Sequence, residues 1–263
     1  MVKETPVSDQ IARDHAKPFV ARTPTTRSLH FSVDQIQSRM DIRHPDALDL
    51  EYSRTMMGFL MFEPDPAKIA MIGLGGGSLA KFCYRHLPNC RIQVVEINPH
   101  VIALRHLFRI PEDNYRFCIN QGDGADFLRT TSDRFSVLMI DGYDKNGPAA
   151  SLSSQDFFDD CFEKLAEDGL LVINLNSDLE SHVQHIARIR HSFDGPILGV
   201  NDRLHGNLIL FARKGARLAI LPVGQIRRPY YFEAAAWNSL RASRARIVKS
   251  ATTWTGLRTP PAP

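Results

Sequence analysis

IAMIGLGGG, Ile69 to Gly77, followed nineteen residues later by the end of VVE at Glu96, decides the fold of this 263-residue chain. An apolar run halted by clustered glycines reads as a buried parallel strand turning directly into a helix. Without a Cβ, the glycine backbone takes positive φ and lets a ligand crowd it. The new helix N-terminus adds unpaired N–H groups and the positive end of its dipole. An acidic residue ending the next strand can accept both hydrogens of a ribose diol. Glycine turn and carboxylate together form the adenosine-binding device of a Rossmann-like domain.

Working outward, strand and helix alternate. Strands are predicted at Ile69–Ile72, Arg91–Glu96, Tyr115–Asn120, Phe135–Ile140 and, as LLVINL, at 170–175. Helices follow at Ser78–His86, from the Asn98-Pro99 cap to Phe108, at Ala125–Thr130, at Gln155–Ala166 and near Glu180–His191. Two last strands, Pro196–Val200 and Asn207–Arg213, are separated by the polar loop 201–206, which is too short for a crossover helix. They must pair antiparallel. The expected fold is α/β: a Rossmann-like, mostly parallel seven-stranded sheet closed by a terminal antiparallel hairpin, with a small N-terminal β-hairpin and helix region. That terminal hairpin marks class I S-adenosylmethionine-dependent enzymes and favours a sulfonium cofactor over a dinucleotide.

The flanks read differently. Residues 1–27 are polar with scattered prolines, a loose arm; 28–40 partly alternate as a hairpin; and ALDLEYSRTMMGFLMF (47–62) has helical spacing. The expected division is 1–66 for this N-terminal region, 67–215 for the S-adenosyl-binding transferase domain, and 216–263 for a basic C-terminal extension. From Arg217 onward, eight Lys/Arg face the single Glu233. Such a tail reads as a solvated face or loose end rather than a nucleic-acid arm. No apolar run reaches the ~20 residues needed to span a bilayer, so no membrane is expected. The polar N-terminus points to the cytoplasm. Cys83, Cys90, Cys118 and Cys161 form no CxxC pair and read as reduced structural thiols. His182 and His185 lie one helical turn apart without partner ligands, a packed helix face; no metal is expected.

Ligands of open α/β sheets bind at the carboxyl ends of the strands. Four such ends here carry glycine or acid: Gly73–Gly77, Glu96, Asp123 and Asp141. The backbone at Gly73, Gly75 and Gly77 is assigned to the cofactor's amino-acid or aminopropyl arm, Glu96 to the ribose hydroxyls, and Asp123 with the Gly124 N–H to adenine. Asp141-Gly142-Tyr143-Asp144 lies where a substrate meets the reactive carbon. Alkylation at a sulfonium needs an amine with a free lone pair, and carboxylates beside it can orient it and accept its proton.

GLGGGSLAKF, VVEINP, QGDGADFL and IDGYDKNGPAASLSSQDFF together resemble the spermidine synthase (polyamine aminopropyltransferase) family, over roughly Arg27 to Lys214. The likeness implies a transferase in polyamine biosynthesis that uses decarboxylated S-adenosylmethionine or S-adenosylmethionine, gives methylthioadenosine or S-adenosylhomocysteine, takes a small-molecule amine and works as a homodimer. It implies Asp141 as proton acceptor, Asp144 as ligand of the substrate amine with Tyr143 beside it, Tyr52 in the substrate wall, and Gln37 beside the cofactor. The chain also departs from the family pattern. Gly76 stands where the family loop carries an aspartate, Phe82 where it carries a glutamate, Ser53 and Arg54 follow Tyr52, and Lys145 replaces a proline. These departures leave open methyl transfer from S-adenosylmethionine, and a catalytically silent adenosine-binding protein.

Overall fold

Ile69 and Met71 point to one face of a sheet, Ala70 and Ile72 to the other, and all four are buried. This is how a parallel strand covered on both sides looks. The strand, β4 (Lys68–Ile72), sits at the centre of the fold. The computed structural model describes residues 15–33, 35–144, 147–148, 150–175, 179–201, 206–215, 218 and 225–253. An N-terminal sheet of β1 (Phe19–Arg22), β2 (Thr26–Ser32) and β3 (Gln35–Asp41) is antiparallel throughout. The main sheet adds β5 (Arg91–Glu96), β6 (Phe117–Gln121), β7 (Phe135–Ile140), β10 (Leu165–Leu175), β11 (Ile197–Asn201) and β12 (Leu208–Arg213). Between β7 and β10 lies a small hairpin, β8 (Tyr143–Asp144) and β9 (Gly147–Pro148).

The seven strands run in the order β11-β12-β10-β7-β4-β5-β6. Pairings from β6 through β10 are parallel, while β12 is antiparallel to both β10 and β11. The fold is therefore the seven-stranded Rossmann-like sheet with a terminal antiparallel hairpin. Helices α1 (Glu51–Met56), α2 (Ser78–His86), α3 (Pro99–Ile102), α4 (Gly124–Thr130), α5 (Gln155–Lys164) and α6 (Leu179–Phe193) flank it. Two apolar layers result, one including Met71, Val94 and Met139, the other including Ile72, Val95, Leu138 and Ile140.

Several expectations need correction. β1 lies inside the stretch expected to be a loose arm, because its four residues zip onto β2 from Phe19–His30 to Arg22–Arg27. The 47–62 helix is regular only across α1 and tightens to a 3-10 turn over Met57–Met61. Regular helix after Asn98-Pro99 stops at Ile102 rather than Phe108. The chain continues in turns to Arg109, whose φ is +54°, while the Arg105 guanidinium clasps Asp113 and the Pro111 carbonyl. Strand β10 begins five residues earlier than LLVINL, across an irregularity that contains Asp168 at φ +60°.

The basic C-terminal extension is neither a loose end nor a solvated face over residues 225–253. It forms α7 (Ala234–Ser239) and α8 (Arg241–Thr253) and buries Phe232, Trp237, Leu240 and Ile247 against the core. Positive charge at its surface hid this: Arg244 stacks on the Trp237 ring at 4.0 Å, so a charged residue contributes packing. Among the described residues no helix is long and apolar enough to cross a membrane, and no cluster of His, Cys, Asp and Glu suits a metal. All four cysteines are free thiols.

Candidate active site

The carboxyl ends of β4, β5, β6 and β7 are neighbours in the sheet, so the four corners picked out in the sequence converge. Gly73, Gly75 and Gly77 adopt φ of +97°, +51° and +67°, a run that residues with a Cβ resist. The loop is stitched at both ends. Gly73 N donates to the Val95 carbonyl at 2.8 Å, and Lys81 N to Gly77 O as α2 begins.

Gly73 also touches the next strand. A Cβ there would lie 2.3 Å from the Asp141 carbonyl oxygen, so glycine alone lets β4 turn directly against the end of β7. A Cβ on Gly76 would lie 2.6 Å from Ser38 Oγ and 2.9 Å from Phe108 Cδ1. The space a family aspartate would enter is therefore filled by the N-terminal sheet and the turn after α3. Ser38 and Ser78 meet there, hydroxyl to hydroxyl, at 3.2 Å.

Glu96 is buried at the end of β5. Its Oε2 accepts from Leu74 N at 2.9 Å and its Oε1 from Asn98 N at 2.8 Å, so the glycine loop and the α3 cap fix both oxygens. Burial raises the pKa of its carboxyl above the usual glutamate value, and the backbone N–H groups of Asn98, Leu74 and Gly75 oppose the rise. Asn98 also donates to the Ala16 carbonyl at 2.8 Å, which ties the N-terminal segment to this corner.

Asp123 caps α4. Its Oδ1 accepts from Ala125 N at 2.7 Å and Asp126 N at 3.1 Å, and Oδ2 accepts the Ser151 hydroxyl at 2.9 Å. Gly124 follows, buried, as the first residue of the helix.

Asp141 follows β7 in a partly buried position. Tyr52, on α1, donates its phenol to Oδ2 at 3.2 Å, and Asn174, near the end of β10, donates Nδ2 to Oδ1 at 2.9 Å. Burial pushes the carboxyl up to about 6, while the Asn174 and Tyr52 hydrogen bonds hold it from rising further. The same phenol lies 3.5 Å from the Gln37 carbonyl, so Gln37 reaches this corner through its backbone. Tyr143 and Asp144 follow in the β8–β9 hairpin; their side chains, like Lys145, lie outside the described residues.

Two departures from the family pattern fall away from the site. The Arg54 guanidinium binds the Leu48 and Asp49 carbonyls at the entry to its own helix. Phe82 is a core residue, 4.6 Å from the His86 ring centre and 5.9 Å from that of Phe232. The sequence reading missed Asn174, Ser38 and Ser151. Asn174 had a signal: it is the one polar residue in LLVINL, at the end of a strand that lies beside β7.

Comparison with known proteins now decides the family. The spermine/spermidine synthase domain matches residues 49–194. A polyamine aminopropyltransferase of Chromobacterium violaceum is 39% identical over 187 residues, covering 71% of this chain and 72% of that protein. This chain belongs to the spermine/spermidine synthase family. Membership places it among the aminopropyl transferases. The crystal structure of a probable spermidine synthase from Corynebacterium glutamicum superposes with a TM-score of 0.69 at 19% identity, over 94% of this chain and 95% of that one. A spermidine synthase crystallised with the transition-state analogue AdoDATO gives 0.62 at 17% identity, over 90% and 87%. Both likenesses speak for the fold.

Proposed function

We propose that this chain transfers the aminopropyl group of decarboxylated S-adenosylmethionine to the nitrogen of a small-molecule amine, in polyamine biosynthesis. The observation that carries the reading is the contact between Gly73 and the Asp141 backbone. It sets a partly buried, hydrogen-bonded carboxylate directly beside a glycine loop suited to a nucleoside's tail. Bound there, the donor would supply an electrophilic carbon on a positively charged sulfur.

The residues divide the work. Glu96, its oxygens aimed by Leu74 N and Asn98 N, keeps lone pairs for the two ribose hydroxyls. Asp123 and the Gly124 N–H meet the adenine edge, with Ser151 holding the Asp123 carboxylate in place. The backbone of Gly73, Gly75 and Gly77 lines the aminopropyl arm, and Gln37 closes that side from β3. Asp141 accepts the amine's proton as the N–C bond forms; the C–S bond breaks with its electron pair on sulfur, leaving methylthioadenosine. Because its carboxyl titrates near 6, Asp141 is ionised at neutral pH and ready to take that proton. Tyr52 forms the wall beside it, and Tyr143 and Asp144 are assigned to the incoming amine.

Calorimetry with methylthioadenosine, S-adenosylmethionine and its decarboxylated form tests the donor. Tighter binding of the decarboxylated form is expected, and preference for the intact amino-acid arm would overturn aminopropyl transfer in favour of methyl transfer. Turnover across a set of diamines and polyamines, with and without Asp141→Asn, tests the base. Unaltered turnover in the variant would remove Asp141 from the mechanism.

A further inference from the structure

Helix α8 lies outside the matched family domain, which ends at residue 194, yet it is bolted to the helix that carries Tyr52. Arg246 on α8 forms an ion pair with Glu51 and donates to Thr55 Oγ1 at 2.9 Å. Those two residues lie four apart on α1, one turn, so a single guanidinium fork grips both ends of that turn. Tyr52 falls inside the gripped span. The grip is largely shielded from water, with the Arg246 and Glu51 side chains 20% and 15% exposed, and Ser243 Oγ takes a second contact from Arg246 at 3.2 Å.

Packing reinforces the grip one turn further on. Ile247 is fully buried, and a Cβ added to Gly58, just past α1, would lie 2.1 Å from its Cδ1. The chain is thus hollowed at Gly58 to let α8 seat against the end of α1. The α1 helix needs such a support. It is six residues long, its N-cap Leu50 offers no side-chain hydrogen bond, and helices this short do not hold themselves together.

We infer that α8 is part of the acceptor side of the active site, and that Arg246 is a positioning residue that holds Tyr52 against Asp141. The chain of contacts runs from Arg246 to Glu51 and Thr55, through one turn of α1 to Tyr52, and from its phenol to Asp141. Among the described side chains, those facing Asp141 are Tyr52 from α1 and Asn174 from β10; those facing Arg246 are Glu51 and Thr55 from α1 and Ser243 from its own helix. The inference rests on the reading of Asp141 as the titrating base, and the experiment separates the two.

The readout is the acidic limb of the pH profile of kcat/KM for the amine. Losing the Tyr52 hydrogen bond lets the Asp141 carboxyl rise. Moving it from about 6 to about 7 cuts the ionised fraction at pH 6 from one half to roughly one tenth, a roughly fivefold loss that nearly vanishes at pH 8. Tyr52→Phe, Arg246→Ala and the double variant are measured together, with thermal melts for each. Arg246→Lys, which retains a charge toward Glu51 but loses the fork, should move the limb by a smaller amount. If the limb moves in both single variants and no further in the double, the brace is established. A uniform rate loss in Arg246→Ala with the limb unmoved would make Arg246 merely structural and overturn the inference. Should Tyr52→Phe itself leave the limb in place, the reading of Asp141 fails instead. Where Arg246→Ala does not fold, Glu51→Gln attacks the same contact from α1 and decides by the same limb.

Discussion

Replacing Asp141 with asparagine should abolish transfer and stabilise the protein, and the stabilisation should depend on pH. The carboxyl is pushed from its ordinary value of 3.8 up to about 6, chiefly because it is buried. The folded state therefore resists ionising it, and the unfolded chain does not. Below about pH 4 the group is protonated in both states and costs nothing. As pH rises through that range the unfolded state ionises first, so stability declines until the folded group also ionises near pH 6, and is flat above. The gap from 3.8 to about 6 corresponds to about 3 kcal/mol. Solvent at the open edge of the site trims this toward about 1–2 kcal/mol.

Asparagine has the same shape and never pays this penalty. Its Oδ1 keeps the Asn174 donor, its amide can donate to the Tyr52 oxygen, and the phenol hydrogen can turn toward the Gln37 carbonyl 3.5 Å away. Every other titrating group is common to both proteins, so the difference between them isolates Asp141. Thermal melts between pH 4 and 8 should show variant and parent together near pH 4. Above about pH 6.5 the variant should lead by about 3–8 °C. A lead that is equal at every pH, or a variant less stable than the parent above pH 6.5, would refute the argument that the carboxylate is held ionised against its surroundings.

Two further predictions concern the donor half of the site. Glu96→Ala leaves the Leu74 and Asn98 N–H groups without their acceptor, at about 1–3 kcal/mol each, so melting should fall by several degrees while calorimetry shows methylthioadenosine binding weakened at least tenfold. Gly73→Ala puts a methyl 2.3 Å from the Asp141 carbonyl at φ +97°, whereas Gly122→Ala meets nothing within 4 Å. The first should lose both stability and nucleoside binding and the second neither; equal behaviour of the two would mean that the loop is not packed on β7 as described.

How much of this was legible in the sequence depends on the range of the forces involved. Elements set by local pattern came through to the residue: α2 at Ser78–His86, β5 at Arg91–Glu96 and β7 at Phe135–Ile140 all announce themselves by apolar run, glycine and cap. The four strand-end positions proposed for the site were legible for the same reason, since each is a glycine or an acid at the end of a strand. What escaped was long-range. β1 exists because β2 pairs with it, and four residues of FVAR carry no period of their own. The helix after Asn98 stops early because Lys81 Nζ donates to the Phe108 carbonyl and Ile110 packs on Gly77, contacts that reach back 27 residues or more in the chain. Asn174 reaches Asp141 only through the adjacency of β7 and β10.

The C-terminal segment shows the same limit most sharply, and it changes how the site is bounded. Eight basic residues and a closing run of prolines suggest a solvated tail, because charge counts report which groups meet water and not what their stems cover. In the fold those charges are divided by function. Arg244 lies flat on Trp237, Arg246 crosses to Glu51 and Thr55, and Ile247 and Leu240 between and beside them are buried. Phe232 joins Phe82 and His86, so the α2 position that carries a glutamate in the family pattern serves here as the seat of the C-terminal segment. In the proposed reading the donor half of the site is built from glycines and acids at strand ends within the 49–194 domain, with Gln37 added from β3. The wall behind Tyr52 is completed from outside that domain, and substitutions on α8 should therefore act on the amine before they act on the nucleoside.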